Sequence, residues 1–163
     1  MTQSAQIGEK VAGKYLTFAL AQEQYGIRIM KIKEIIGMMP ITFVPQTPAH
    51  VKGVINLRGK VIPVVDLRLR FGLEEAGYTE RTCIIVVEAQ GVSGTVPIGI
   101  VVDGVSEVLN IRAEEIEEAP VFGGSLSTEY ILGMAKSGEG VKILLDIDRV
   151  LYEENTAGLQ LAA

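Results

Sequence analysis

Chemistry needs side chains that can pass a proton, hold a metal or attack an electrophile. This chain of 163 residues has few of them. His50 is its one histidine and Cys83 its one cysteine. A single histidine excludes zinc sites built on a His pair and leaves one base for any Ser–His or Cys–His device. His50 sits on a loop punctuated by Pro45 and Pro48, the setting of a surface residue. Cys83 lies in an apolar run, where thiols are commonly buried and inert, and a lone cysteine makes no internal disulfide. Asp66, Asp103, Asp146 and Asp148 fall at turns or helix starts, where carboxylates cap backbone donors. The glycines form neither a GxGxxG nor a phosphate-loop pattern. No catalytic residue, metal site or cofactor is expected. What remains is a charged pair: Arg58, on a tight turn beside a long apolar strand, has Glu34 as a candidate partner.

Composition narrows the class further. Basic residues number 15 and acidic residues 20, a formal net charge of −5, which opposes a broad nucleic-acid footprint. There is no Trp to stack on bases, and Arg58, Arg68 and Arg70 make the main basic cluster. An SH3-like nucleic-acid-binding module is therefore the distant alternative. Hydrophobic residues reach 48%, too many for wholesale disorder. No apolar run approaches the ~18 residues that span a bilayer, and Met1 to Lys14 lacks the apolar stretch of a secretory signal. A cytoplasmic protein without direct membrane insertion is expected.

These side chains must be held by strands. Val and Ile number 18 each, and Gly 18, a mixture of pleated-surface formers and turn formers. Leu16, Phe18 and Leu20 alternate with Tyr15, Thr17 and Ala19, and Tyr25 to Ile29 resumes the alternation. A helical turn or bulge near Met30 to Ile32 explains a shift of period there. Val51 to Leu57 and Lys60 to Asp66 read as a hairpin closed by Arg58-Gly59. Pro63 inside its second strand points to an edge position or a bulge. Thr82 to Glu88 is a nearly continuous apolar strand, and Val96 to Val102 joins Val105 to Ile111 at the turn pair Asp103-Gly104. Glu129 to Lys136 and Val141 to Asp146 form a last hairpin.

The two halves repeat. Residues 26–36 align without gaps to 99–109, Gly26 with Gly99 and Glu34 with Glu107. Further on, Gly53 matches Gly133, and Val64-Val65-Asp66-Leu67 matches Leu144-Leu145-Asp146-Ile147. The second copy is longer between these blocks, in the loop Pro120 to Ser127. Roughly ten short strands, five per half, suit two small closed barrels that leave no long exposed edges. The expected class is all-β with short helices: two SH3-like five-stranded barrels packed together. The expected division is a flexible N-terminus at 1–14, a domain at 15–152 and a flexible tail at 155–163. Within the domain, the first barrel takes about 15–73 with a C-terminal helix near 147–153, and the second takes about 82–146.

The run Lys52-Gly53-Val54-Ile55-Asn56-Leu57-Arg58-Gly59-Lys60-Val61-Ile62-Pro63-Val64-Val65-Asp66-Leu67-Arg68 resembles the signature of the CheW family of bacterial chemotaxis coupling proteins. Tyr25-Gly26-Ile27 with Lys33-Glu34-Ile35, Gly99 to Val105, and Leu126-Ser127-Thr128-Glu129-Tyr130 extend the resemblance over residues 15 to 152. It implies a non-catalytic adaptor between transmembrane chemoreceptors, methyl-accepting chemotaxis proteins, and the histidine autokinase CheA. One surface would hold the receptor's cytoplasmic hairpin tip. Others would meet the kinase's CheW-like regulatory domain and build rings at the inner face of the membrane, from a chain that is a monomer in isolation. Carried over by position, Ile32, Glu34, Val54, Asn56 and Arg58 fall to the receptor side, and Val105, Val108 and Phe122 to the kinase and ring contacts. A coupler of another chemosensory system, for pilus motility or gene expression, is the nearest alternative.

Overall fold

The computed structural model of this chain describes residues 3–91, 93–120, 129–138 and 140–151. An opening helix, α1 (Gln3–Val11), leads into β1 (Gly13–Leu20) and β2 (Glu23–Arg28). A 3₁₀ turn at Ile29–Lys31, where the period shift is, delivers the chain to β3 (Ile32–Gly37). Then come β4 (Val51–Leu57), β5 (Lys60–Asp66) and a one-turn helix, α2 (Leu67–Arg70). The second half runs β6 (Cys83–Gly91), β7 (Gly94–Val102), β8 (Gly104–Ile111), β9 (Ile116–Glu117), β10 (Ile131–Ser137), β11 (Gly140–Leu145) and α3 (Ile147–Val150).

Two sheets result, but they do not divide the chain at its middle. One has the order β3-β6-β7-β5-β4 and the other β8-β1-β2-β11-β10-β9. Each sheet therefore takes the opening hairpin of one half and the remaining strands of the other. The chain changes sheet between β2 and β3, and again at Asp103 between β7 and β8. The expected boundaries, 15–73 and 82–146, are corrected accordingly. The polar stretch Glu74 to Arg81 separates no barrels, because β6 returns to the sheet that β5 belongs to.

The repeat explains the exchange. Under it β3 corresponds to β8, β4 to β10 and β5 to β11, so the two strand orders are the same order. Even the shortest pairing is duplicated: Thr42 bridges Val54, and Glu117 pairs with Met134, the residue matching Val54. Where the halves meet, β5 lies parallel to β7 with Val64 opposite Gly99, and β11 lies parallel to β2 with Leu144 opposite Gly26. A Cβ at Gly26 would stand 2.9 Å from Leu144 Cδ2, and one at Gly99 2.8 Å from Ile84 Cγ2. The β11–β2 seam thus needs a residue without a side chain at Gly26, whereas at Gly99 the crowding comes from β6 of the same half and Val64 across the seam stands at an ordinary 3.5 Å. Pro63 stands one residue before the β5–β7 ladder begins, which is how a strand between two neighbours accommodates it.

Three cores follow. Tyr15, Ile111, Ile116 and Leu144 pack inside the six-stranded sheet; Ile55, Ile62, Val64, Ile84 and Val101 pack inside the five-stranded one. The third core lies between them. It draws Leu16, Phe18 and Leu20 from one sheet and Ile85, Val87, Ile98 and Ile100 from the other, seventeen buried residues against six in each barrel interior among the described residues. At about 1.5–3 kcal/mol per buried aliphatic side chain, the shared core outweighs either barrel's own, so the two barrels hold together as one unit. This is why β6 reads as a continuous apolar run: it is buried on both faces. Leu67 of α2 and Ile147 and Val150 of α3 close the shared core, and Asp66 and Asp146 cap these helices through their carboxylates.

The N-terminus also departs from expectation. Residues 3–11, read as part of a flexible stretch, form α1. Val11 is buried with Ile7 against the six-stranded barrel's core, and the Tyr15 hydroxyl donates to the Val11 carbonyl at 2.6 Å. The polar average of the segment hides these anchors. The expected tail, 155–163, lies outside the described residues.

Candidate interaction surface

The β4–β5 turn is built by its sequence. Arg58 and Gly59 both take positive φ, 52° and 87°, the two-residue loop that matches strand twist. The Asn56 side-chain oxygen accepts the Gly59 N–H at 2.8 Å, steadying a conformation that a non-glycine residue adopts at a cost. Asn56, placed on the receptor side by resemblance, thus has a structural task at this turn as well. From there the Arg58 guanidinium donates to the Glu34 carboxylate on β3. In sheet order β3 and β4 are opposite edges. The ion pair consequently joins the two edge strands of the five-stranded barrel. Arg58 is 68% exposed, so the pair is worth little as a fold stabiliser.

The same elements carry exposed apolar side chains. Val61, opposite Asn56 in the hairpin, is 67% exposed, and Ile35, beside Glu34, is 44% exposed. Val54 is half-buried and pairs with Pro63, while Ile32 is half-buried against the shared core. The residues Glu34, Val54, Asn56 and Arg58 are brought onto one barrel. Val105 and Val108 lie on the other, on edge strand β8. The resemblance places both valines at an interface, and the structure separates them: Val105 packs on the shared core, and Val108 is 53% exposed. They are the repeat partners of Ile32 and Ile35. Ile35 and Val61 were not singled out from the sequence; the repeat match of Ile35 to Val108 was the available signal. Phe122 lies outside the described residues.

The groups that could have done chemistry are engaged elsewhere. Asp66 is buried, and burial raises its pKa while N–H bonds from Arg68 and Leu69 oppose the rise. Burial likewise pushes the Cys83 thiol up, away from the thiolate a nucleophile needs. The Asp103 carboxylate takes both Nε and Nη2 of Arg68, at 2.9 and 2.7 Å. Asp148 pairs with Lys31 at 2.8 Å. Among the described residues no group of three or more His, Cys, Asp or Glu is placed to hold a metal, and no helix is long and apolar enough to cross a membrane. A shallow depression lined by Ile41, Lys52, Glu75 and Tyr78 is closed across its polar side by the Lys52–Glu75 ion pair at 2.8 Å.

A family model described as the CheW-like domain matches residues 14–155. The chain belongs to the CheW-like family. The match begins on β1 and leaves α1 outside it. A chemotaxis protein CheW of Klebsiella aerogenes is 44% identical over 96% of this chain and 92% of its own length. Protein FrzA of Myxococcus xanthus is 29% identical over 76% of the chain and 74% of its own. Among solved structures, the scaffolding protein TtCheW from Thermoanaerobacter tengcongensis superposes with a TM-score of 0.75 at 35% identity, covering 86% of this chain and 93% of that one. The CheW-like fold and the exposed edges around Glu34–Arg58 and Val108 thus occur in one chain.

Proposed function

We propose that this chain is a non-catalytic adaptor of a chemosensory array, holding the cytoplasmic hairpin tip of a chemoreceptor against the CheW-like regulatory domain of the autokinase CheA. The observation that carries the reading is the Glu34–Arg58 ion pair between β3 and the β4–β5 hairpin, elements that also carry the exposed Ile35 and Val61. A receptor tip is a bundle of amphipathic helices. Such a helix lays apolar side chains onto an apolar strip and is fixed in register by a few charges. Ile32, Glu34, Val54, Asn56 and Arg58 form that receptor face; Val105, Val108 and Phe122 form the kinase and ring contacts. Single contacts can be weak, because an array multiplies them through effective concentration. The protein is thereby recruited to the inner face of the membrane. It does its work by position: a kinase held at the receptor tip feels a small receptor movement.

The test is reconstitution of receptor-bearing membranes with purified kinase, with and without this protein. The chain should co-sediment and should bring autophosphorylation under receptor control. Control unchanged by its addition rejects the reading for that receptor and kinase. The likeness to FrzA favours one second reading, a coupler of another chemosensory system. The same assay with that system's receptor and kinase separates the two.

A further inference from the structure

The chain crosses from sheet to sheet twice, and each crossing is clamped by one ion pair. At the first joint, Arg68 of α2 grips Asp103 at the β7–β8 crossover, and Asp103 Oδ2 also accepts the Ala21 N–H at 2.8 Å. At the second, Asp148 of α3 grips Lys31 in the β2–β3 crossover, and Asp148 Oδ1 accepts the Gln90 N–H at 2.9 Å. The repeat superposes these joints. Asp148 is the counterpart of Arg68, and Lys31 stands one residue past the counterpart of Asp103. At each joint a helix from one half meets a crossover from the other half, beside the end of an opening hairpin. Only the sign differs: cation on the helix and anion on the crossover at one joint, the reverse at the other.

That reversal matters because the halves are alike. Exchanged strands would let two copies of the first half assemble as the two halves do, with β1 and β2 of each completing the sheet of the other. In such a pair Arg68 would face Lys31 at both joints. In a pair of second halves Asp148 would face Asp103 at both. Only the mixed pair sets opposite charges together twice. The four side chains are between a fifth and about a third exposed, partly withdrawn from the salt that screens surface charges. Specificity among near-identical partners is obtained by such repulsion in the wrong pairing. We propose that the opposite polarity of the Arg68–Asp103 and Asp148–Lys31 pairs is a matching code that makes the first half of the chain take up the second half and reject a copy of itself.

The test uses the full-length folded chain carrying a protease site between Gly77 and Tyr78, in the exposed connector. There a Cβ on Gly77 would meet nothing within 4 Å. The chain is cut after folding, unfolded in denaturant, and refolded by dilution; native mass spectrometry then counts the pairs. Wild type should return first-half/second-half pairs. Arg68→Asp alone, or Lys31→Asp alone, turns the first half's self-pairing attractive at both joints and leaves both aspartates with their backbone donors. Each should raise first-half/first-half pairs by at least about tenfold, the change that a modest charge-assisted contact makes. Combining Arg68→Asp with Lys31→Asp makes every pairing repulsive and should abolish the self-pairs again. Rise in both singles and loss in the double supports the code. Self-pairs absent from both singles, or equally abundant in wild type, overturns it, since a merely stabilising role would lower mixed pairs without creating like ones.

Discussion

Arg58 reaches Glu34 from a turn whose own backbone is left-handed, so one edge of the five-stranded barrel is tied to the other by two side chains at its rim. Glu107, the repeat partner of Glu34, has no such counterpart, because Gly138 stands where Arg58 does. Among the described residues the tie belongs to the first-copy hairpin, on elements that also carry the exposed Ile35 and Val61.

Arg58→Glu separates docking from folding. An exposed pair is worth about 0–1 kcal/mol, so the variant should melt no more than about 2–4 °C below wild type. Receptor control of the kinase should be lost. Circular dichroism melts and the reconstituted kinase assay read the two effects; a variant that unfolds would assign the pair a structural role.

Gly26→Ala tests the seam between halves. The added methyl would lie 2.9 Å from Leu144 Cδ2 in a buried ladder, and overpacking of this kind costs about 1–3 kcal/mol. Leu144→Val removes that atom. In urea denaturation the double variant should recover part of the loss, a coupling that independent sites would not show.

The Asp66 carboxyl carries a pH signature. Its pKa in the folded protein is raised above the ordinary 3.8, chiefly by burial. The folded state therefore holds this proton to higher pH than the unfolded state does. Through the window just above 3.8 its contribution to stability falls as pH rises and then levels off beyond the folded value. Asp66→Asn keeps a capping oxygen and loses the charge. Its stability relative to wild type should rise between about pH 4 and pH 7 by urea titration, and a difference independent of pH would contradict the assignment.

Removing residues 1–11 strips α1 from the six-stranded barrel. Loss of the buried Val11 and of the Val11 carbonyl under the Tyr15 hydroxyl should cost about 2–4 kcal/mol. Binding of a hydrophobic dye should increase. An unchanged melting temperature would show that α1 contributes nothing to the barrel.

Much of this was legible in the chain. Alternation in β1 and β2, the Arg58-Gly59 turn, the irregular turn before β3 and the duplication all follow from local pattern, and each has its element in the structure; Asp103-Gly104, read as a turn, is instead a bend at which the chain changes sheet. Pairing partners were not legible. Val64 fits beside Gly99 as Leu144 fits beside Gly26, and equivalent residues in a repeat satisfy either arrangement by composition alone. Strand exchange is a non-local choice among locally identical options. Ile35 shows the same limit at the site: alternation marks it as one face of a strand and does not say that the edge leaves that face uncovered. Glu34 and Arg58 came together as expected because a tight turn and an edge strand leave long side chains few other places to go.

The exchanged topology has a mechanical consequence. Each barrel includes strands from both halves of the polypeptide, and the backbone passes between them at Ile29–Lys31 and again at Asp103. A force that pulls one barrel from the other is borne by two covalent strands in parallel, and neither barrel can be drawn away whole without tearing a ladder in the other. Linkers between ordinary domains bend under load. This joint is a spliced one, and it passes displacement from one face of the molecule to the other with little give.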